Sequence, residues 1–478
     1  MQNIPDFFQI KISLNMNRIS FFLICILSSI LLVAFKSDCK NVHWGTKTTY
    51  VPLQTVYSTP PEGYEPVFIN YAGRHGARHL TSITADSIMF LVLQKAEQQH
   101  AITDEGKKLK QMDSLLLIVE KGNVSFISER GKEELQAIAK RMAQNFSTVF
   151  ANKQGEIVVS TTKKERTKQS AKAFLKGLNP DTTQKISMNY NDDDLLAFYD
   201  VAPSYKTFKE TGKWKSVFEN IQQTEKAKKL YEELPKAFFT PEFIKTLETH
   251  SLVFSNKKGN NAVYDSKMFV DGFYDACSIV ASLDTEIIKA GNTINDLDFS
   301  SLVSCSDLEE LEYINSAEDF LVKSSGIEEN GIQVRIAAPL LLSFVQATDD
   351  YIATKKVIAN LRFAHAETIA PFAAILGITG ASEPIKQENI LDYNKQWKCE
   401  TIIPLSANIQ MILFKNKANN YLVKFLLNEK EVTINGLKDI GTPFYYNWTD
   451  VKKFYSNKLD KMNLHAGENV HDYLMKIQ

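Results

Sequence analysis

Cysteine is scarce in this chain, with five in 478 residues, at positions 25, 39, 277, 305 and 399. That number and that scatter exclude a disulfide-dense scaffold and a structural zinc cluster. No charge of one sign predominates, because 55 Lys and Arg stand against 56 Asp and Glu. Bulk electrostatics therefore exclude a basic nucleic-acid binder, and any basic site must be local. Repeats and low-complexity tracts are missing, and 44% hydrophobic against 23% charged residues excludes a disordered chain. Long apolar runs are also absent, with one exception at 19–35, between Arg18 and Lys36-Ser37-Asp38. That run is at the short end for a membrane span of roughly 17–25 residues. It reads as an export signal, with Met16 as a second candidate start, and the rest of the chain is expected to fold outside a cytoplasmic membrane, in a periplasm or attached to the cell envelope. Phe35 and Lys36 spoil a small-x-small cleavage site, so an uncleaved N-terminal anchor and a lipoprotein attached through Cys39 are the alternatives. Cys277, Cys305 and Cys399 leave room for at most one internal bridge and one spare thiol, or for three buried thiols.

What is present is an alternation of strand and helix. A β-type run at 67–71 exits through Ala72-Gly73-Arg74-His75-Gly76. Ser128 can cap a helix with apolar residues Leu135, Ile138, Ala139, Met142 and Phe146 at helical spacing. A second strand at 156–160 precedes a helical face of Ala171, Phe174, Leu175 and Leu178. Ser306-Asp307-Leu308-Glu309 fits a capping box, a third buried strand is expected at 357–364, and paired strands at 407–414 and 421–427. This order argues for an α/β fold with a mainly parallel sheet flanked by helices. Between 193 and 331 the pattern turns lysine-rich and helical, for example at 218–234 and 268–283, without convincing strands. The expected organisation is an export signal or anchor at 1–38, a first part of the α/β domain at 39–192, a helical insertion at 193–331 and a second part of the α/β domain at 332–478.

Three strand ends carry candidate chemistry. In the first, Arg74-His75-Gly76-Ala77-Arg78 places one imidazole between two guanidiniums, and two arginines that close need an anion. The guanidinium fork suits phosphate oxygens, and a neutral imidazole nitrogen can attack phosphorus. The second, Ser160 to Arg166, puts a guanidinium at a helix N-terminus, which itself favours anions. The third, Arg362-Phe363-Ala364-His365-Ala366-Glu367, offers a histidine and a carboxylate two residues apart, with Pro371 expected in the first turn of a helix that Gly377 ends. Taken singly, these segments read as a solvated basic loop, a charged helix start and a structural histidine beside a capping glutamate.

Together they resemble the histidine acid phosphatases, the longer-chain branch of the histidine phosphatase superfamily. The Arg-His-Gly-x-Arg signature stands at 74–78, and Arg166 resembles the family's second phosphate arginine. His365-Ala366-Glu367 replaces the usual His-Asp and is similar to the form found in multiple inositol polyphosphate phosphatases, as are Ser304-Cys305 and Asn428-Glu429-Lys430. The likeness spans roughly 65–435. It departs at His79 and Leu80, where the family often has an aromatic residue and proline, and in lacking a tryptophan beside Cys305. The resemblance implies His75 as nucleophile, Glu367 as proton donor, and Arg74, Arg78, Arg166 and His365 as phosphate ligands, with neither metal nor other cofactor. The implied partner is a small inositol phosphate such as phytate. Lys163, Lys164, Lys168, Lys206 and Lys209, with Lys213 and Lys215 further on, can surround a phosphorylated ring or lie on solvated helix faces. A broad phosphomonoesterase, a non-catalytic envelope protein that binds polyanions, and a mutase-like phosphotransferase are the competing readings.

Overall fold

Residues 68–74 are buried without interruption, a pattern that requires cover on both faces of a sheet. In a computed structural model, which describes residue 39 and residues 42–82, 84–249, 251–255 and 261–478, two helices supply that cover. Phe68 stacks on Tyr351 at 5.1 Å, and Asn70 donates to the carbonyl of Phe344 and to Thr348 Oγ1 at 3.0 and 3.1 Å. Both contacts are with the helix Ala338–Thr354. On the other face Tyr71 meets Phe174, 4.8 Å away, on the helix Glu165–Leu178. The apolar run at 19–35, with the export signal read from it, lies outside the described residues.

The strands are β1 (Glu65–Arg74), β2 (Glu156–Thr161), β3 (Ile186–Asn189), β4 (Leu252–Ser255), β5 (Asn261–Tyr264), β6 (Val357–Ala364), β7 (Asn408–Lys415), β8 (Tyr421–Leu427), β9 (Lys430–Glu431) and β10 (Tyr446–Asn447). The main sheet runs β10-β8-β7-β1-β6-β2-β3, with β9 on β8. β1, β6, β2 and β3 are parallel. From β7 onward the pairing is antiparallel, which fits the short connection between β7 and β8. The α/β sheet with helices around it is the expected one.

Several local expectations are corrected. Ser304, not Ser306, caps the helix Cys305–Lys323, its hydroxyl accepting from Asp307 N. Pro371 sits inside the helix Ala366–Leu376 rather than in its first turn. That helix starts as soon as β6 ends, because His365 is still extended and its carbonyl already accepts from Thr368 and Ile369. The run 218–234 is broken into Trp214–Gln222 and Glu225–Glu233, the second capped by Thr224. β4 and β5 form an antiparallel hairpin within the span expected to lack strands. The helices Thr84–Gln98 and Asp104–Glu120 add to those read from hydrophobic spacing. Cys277 and Cys399 are buried free thiols, whereas Cys39 and Cys305 are disulfide-bonded. No bridge therefore forms within the set 277, 305 and 399.

Candidate active site

Parallel neighbours end on the same edge of a sheet, and here β1, β6 and β2 are neighbours. Arg74 stands opposite Ala364, and Thr161 opposite Phe363. The residues that follow each strand therefore meet at the carboxyl edge, where open α/β sheets place their ligands. The three segments singled out in the sequence are these three strand ends.

His75 is buried, and its backbone N–H extends the ladder to the Ala364 carbonyl at 3.0 Å. Its Nδ1 lies 3.0 Å from the Gly76 carbonyl. A carbonyl can only accept, so Nδ1 carries the proton and Nε2 keeps a lone pair. Burial, and then Arg74, Arg166 and Arg78 in turn, hold the imidazole well below the ordinary histidine range, so it is neutral. A neutral ring with one fixed proton and one free lone pair is the state a nucleophilic histidine needs.

The guanidiniums around it have donors to spare. Arg74 Nη1 bonds to the carbonyls of Thr46 and Ile403, and Arg78 Nη1 to that of His79 at 2.7 Å. These neutral acceptors orient the arginines without neutralising them. Nε of Arg74, Arg78 and Arg166 is buried without a hydrogen-bond partner. Arginine ion pairs among the described residues belong to Arg130 and Arg141, not to these three. Burial lowers the guanidinium of Arg78 to about 10, with Arg74 and Arg166 adding to the effect. One buried and two half-buried guanidiniums without an ion-pair partner are costly to hold together unless an anion joins them.

Arg166 is in the first turn of its helix and points Nη2 at His365 Nδ1, 3.2 Å away. Arginine only donates, so Nδ1 of His365 is the acceptor, and Nε2–H is left to bond Thr162 Oγ1 at 3.0 Å. Burial and the Arg166 charge push His365 down to about 3. The two imidazole centroids are 5.6 Å apart. Glu367, in the first turn of its helix, has Oε1 at 3.1 Å from Lys323 Nζ and is a third exposed. Burial works to raise its carboxyl, but Lys323, His365 and Arg74 outweigh burial and hold it well below the usual range. Lys323 and Thr162 carry no sequence signal beyond their residue types, and neither was expected in the site.

The loop after β1 is fastened from several directions. Glu134 accepts from Ala77 N at 3.1 Å, Tyr50 N at 2.9 Å and Ser406 Oγ at 2.7 Å, while Ser406 N donates to the His75 carbonyl. A Cβ at Gly131 would stand 2.0 Å from the Ala77 carbonyl oxygen, and one at Gly76 would stand 2.6 Å from that of Gly131. Gly131→Ala must therefore push the loop that carries His75 and Arg78. The expected cost is about 1–3 kcal/mol of stability, read by denaturant melts, with a fall in turnover beyond what unfolding explains.

The five candidate lysines are placed unevenly. Lys163 is exposed and paired with Asp193 at 3.0 Å, so its charge is partly spent. Lys164 is exposed and lies close enough to depress His365. Lys168 lies 5.9 Å from the Tyr190 ring centre and Lys209 5.4 Å from that of Tyr205, and Lys206 is exposed.

Known proteins resemble this chain in sequence and in fold. The chain is 22% identical over 465 residues to multiple inositol polyphosphate phosphatase 1 of Gallus gallus, covering 92% of this chain and 94% of that protein. Its fold is similar to that of the Bifidobacterium longum multiple inositol polyphosphate phosphatase solved with inositol hexasulfate, at a TM-score of 0.77 and 21% identity over 89% of this chain and 98% of that one. It is also similar to the phytase from D. castellii, at a TM-score of 0.63 and 15% identity over 91% and 88%. The family model for the histidine phosphatase superfamily (branch 2) matches residues 72–428, a span that holds the whole cluster from Arg74 to Glu367, and the chain belongs to that family.

Proposed function

We propose that this protein hydrolyses phosphomonoesters of inositol polyphosphates, phytate among them, through a phosphohistidine on His75. The observation that carries the reading is a neutral imidazole with a free Nε2 set among three guanidiniums that have no carboxylate partner. In the first step Nε2 of His75 attacks phosphorus while Arg74, Arg78 and Arg166 hold the non-bridging oxygens, and His365 joins them by turning its Nε2–H from Thr162 to an oxygen. The bond to the bridging oxygen breaks, and protonated Glu367 gives that oxygen its proton. The imidazole becomes cationic, and its Nδ1–H keeps the Gly76 carbonyl as a partner for that charge. In the second step Glu367 takes a proton from water, the water oxygen bonds to phosphorus, the P–N bond breaks, and His75 returns to neutral.

Inorganic phosphate release from phytate in the presence of a chelator tests this reading, together with an acid-labile, base-stable phosphoenzyme trapped during turnover. Release from aryl phosphates but not phytate would favour a broad phosphomonoesterase. Phytate binding without release would favour a polyanion carrier, against which an intact His75 and Glu367 weigh. The apolar run at 19–35 and the disulfide-bonded Cys39 and Cys305 support action outside the cytoplasm.

The lysines beside Arg166 belong to the substrate reading. Replacing Lys163, Lys164 and Lys168 together by alanine should raise KM for phytate several-fold and leave that for an aryl phosphate nearly unchanged. Added salt should also weaken phytate more steeply, because screening acts on every exposed charge pair. Equal changes for both substrates would remove these lysines from ring recognition.

A further inference from the structure

Lys323 is the last residue of the helix Cys305–Lys323, a place where a lysine usually serves the helix dipole and points to solvent. Here its Nζ lies 2.6 Å from Asp319 Oδ1 on its own helix and 3.1 Å from Glu367 Oε1 on another, and its side chain is 20% exposed. The second contact joins two elements and engages the carboxylate read above as the proton donor. A proton donor must be protonated when the ester bond breaks. In the free site Glu367 is instead ionised and ion-paired.

We propose that Lys323 is a positioning residue that holds Glu367 ionised in the free site and turns to a phosphate of the incoming inositol polyphosphate, so that Glu367 loses its counter-ion and takes up a proton as substrate binds. The inference rests on the reading of Glu367 as proton donor. A lysine ammonium suits the exchange, with three rotatable donors on a flexible stem, and Asp319 tethers it at the cleft while Glu367 lets go. The other charged and titratable groups whose fields reach Glu367 are Arg74 and Arg78 from the β1 loop, Arg166 from the helix behind it, His365 beside it, and Tyr199 and Tyr205 from the short helices Phe198–Val201 and Pro203–Thr211. The three guanidiniums gain an anion when phosphate enters. Their pull on Glu367 therefore falls together with that of Lys323, and every change drives proton uptake in the same direction.

Inositol hexasulfate is a suitable probe, since its sulfates do not titrate in the range of interest and any proton taken up belongs to the protein. Calorimetric titration at mildly acidic pH, in buffers of different ionisation enthalpy, should show uptake of about one proton per chain by the wild type. Glu367→Gln should abolish that uptake. Lys323→Met should at least halve it and should move the basic limb of kcat/KM for phytate upward by about one pH unit, because Glu367 is then easier to protonate before binding. Lys323→Arg should restore both. Should Lys323→Met fold poorly with Asp319 left unpaired, the double variant with Asp319→Asn carries the same expectation. Uptake and pH profile unchanged in the methionine variants, or no binding of the hexasulfate, would overturn the proposal. A wild type that takes up the proton yet releases no phosphate from phytate would sink the hydrolytic reading instead, so the two failures are distinguishable.

Discussion

His75→Ala should lose turnover on every phosphomonoester by a factor on the order of 10^4 or more. The size of the effect follows from the geometry of the pocket. His365 cannot stand in, because its Nδ1 is occupied by Arg166 and its Nε2 by Thr162. Neither nitrogen has a lone pair free to attack. Arginines with uncompensated charge remain in the variant, so inositol hexasulfate should bind at least as well as before, which separates lost chemistry from lost structure. No labelled phosphoenzyme should be trapped. A variant that keeps a tenth of wild-type turnover, or still yields an acid-labile phosphoenzyme, would show that phosphorus is attacked by another group or directly by water.

Glu367→Gln should divide substrates by their leaving group. Glutamine keeps the size of the side chain and a hydrogen bond but has no proton to give. For inositol phosphates, whose alkoxide leaving groups are strongly basic, the first step should slow by about 10^2–10^4-fold. An activated aryl phosphate leaves unaided, so its first step should be largely spared. Water attack on the phosphohistidine still lacks a base, and stopped-flow traces should show a burst followed by slow turnover. Removing the carboxylate also removes a negative charge that holds Lys323, so apparent affinity for phytate should rise as turnover falls. The wild type carries the matching pH signature. Glu367 is depressed in the free site, and the fraction able to donate falls as pH rises, so phytate turnover should decline toward neutral pH more steeply than aryl phosphate turnover. Equal loss on both substrates, without a burst, would move the proton-donor role to another carboxylate.

The parts of this protein that are legible in its sequence are those encoded over a few neighbouring residues. β6 spans Val357–Ala364, as its hydrophobic run predicts, and Ser128 caps its helix, because both signals are local. Arg74, His75, Arg166, His365 and Glu367 could be singled out for the same reason, since each stands at or just past the end of a strand and parallel strands bring such positions to one edge. The capping serine at 304 and the interior Pro371 were displaced by only a few residues, the margin by which helix starts shift when several capping groups compete. The hairpin β4–β5 was missed because short strands in a polar stretch carry little alternation. What the sequence could not contain is which side chains meet across it. Glu134 reaches Ala77, Tyr50 and Ser406, and Lys323 reaches Glu367 from another helix. The tautomers of His75 and His365 follow from partners in the folded pocket. Local patterning determined where the reactive residues leave their strands. Tertiary packing alone decided their protonation and their partners, because burial and nearby charge are properties of an environment assembled from residues hundreds of positions apart.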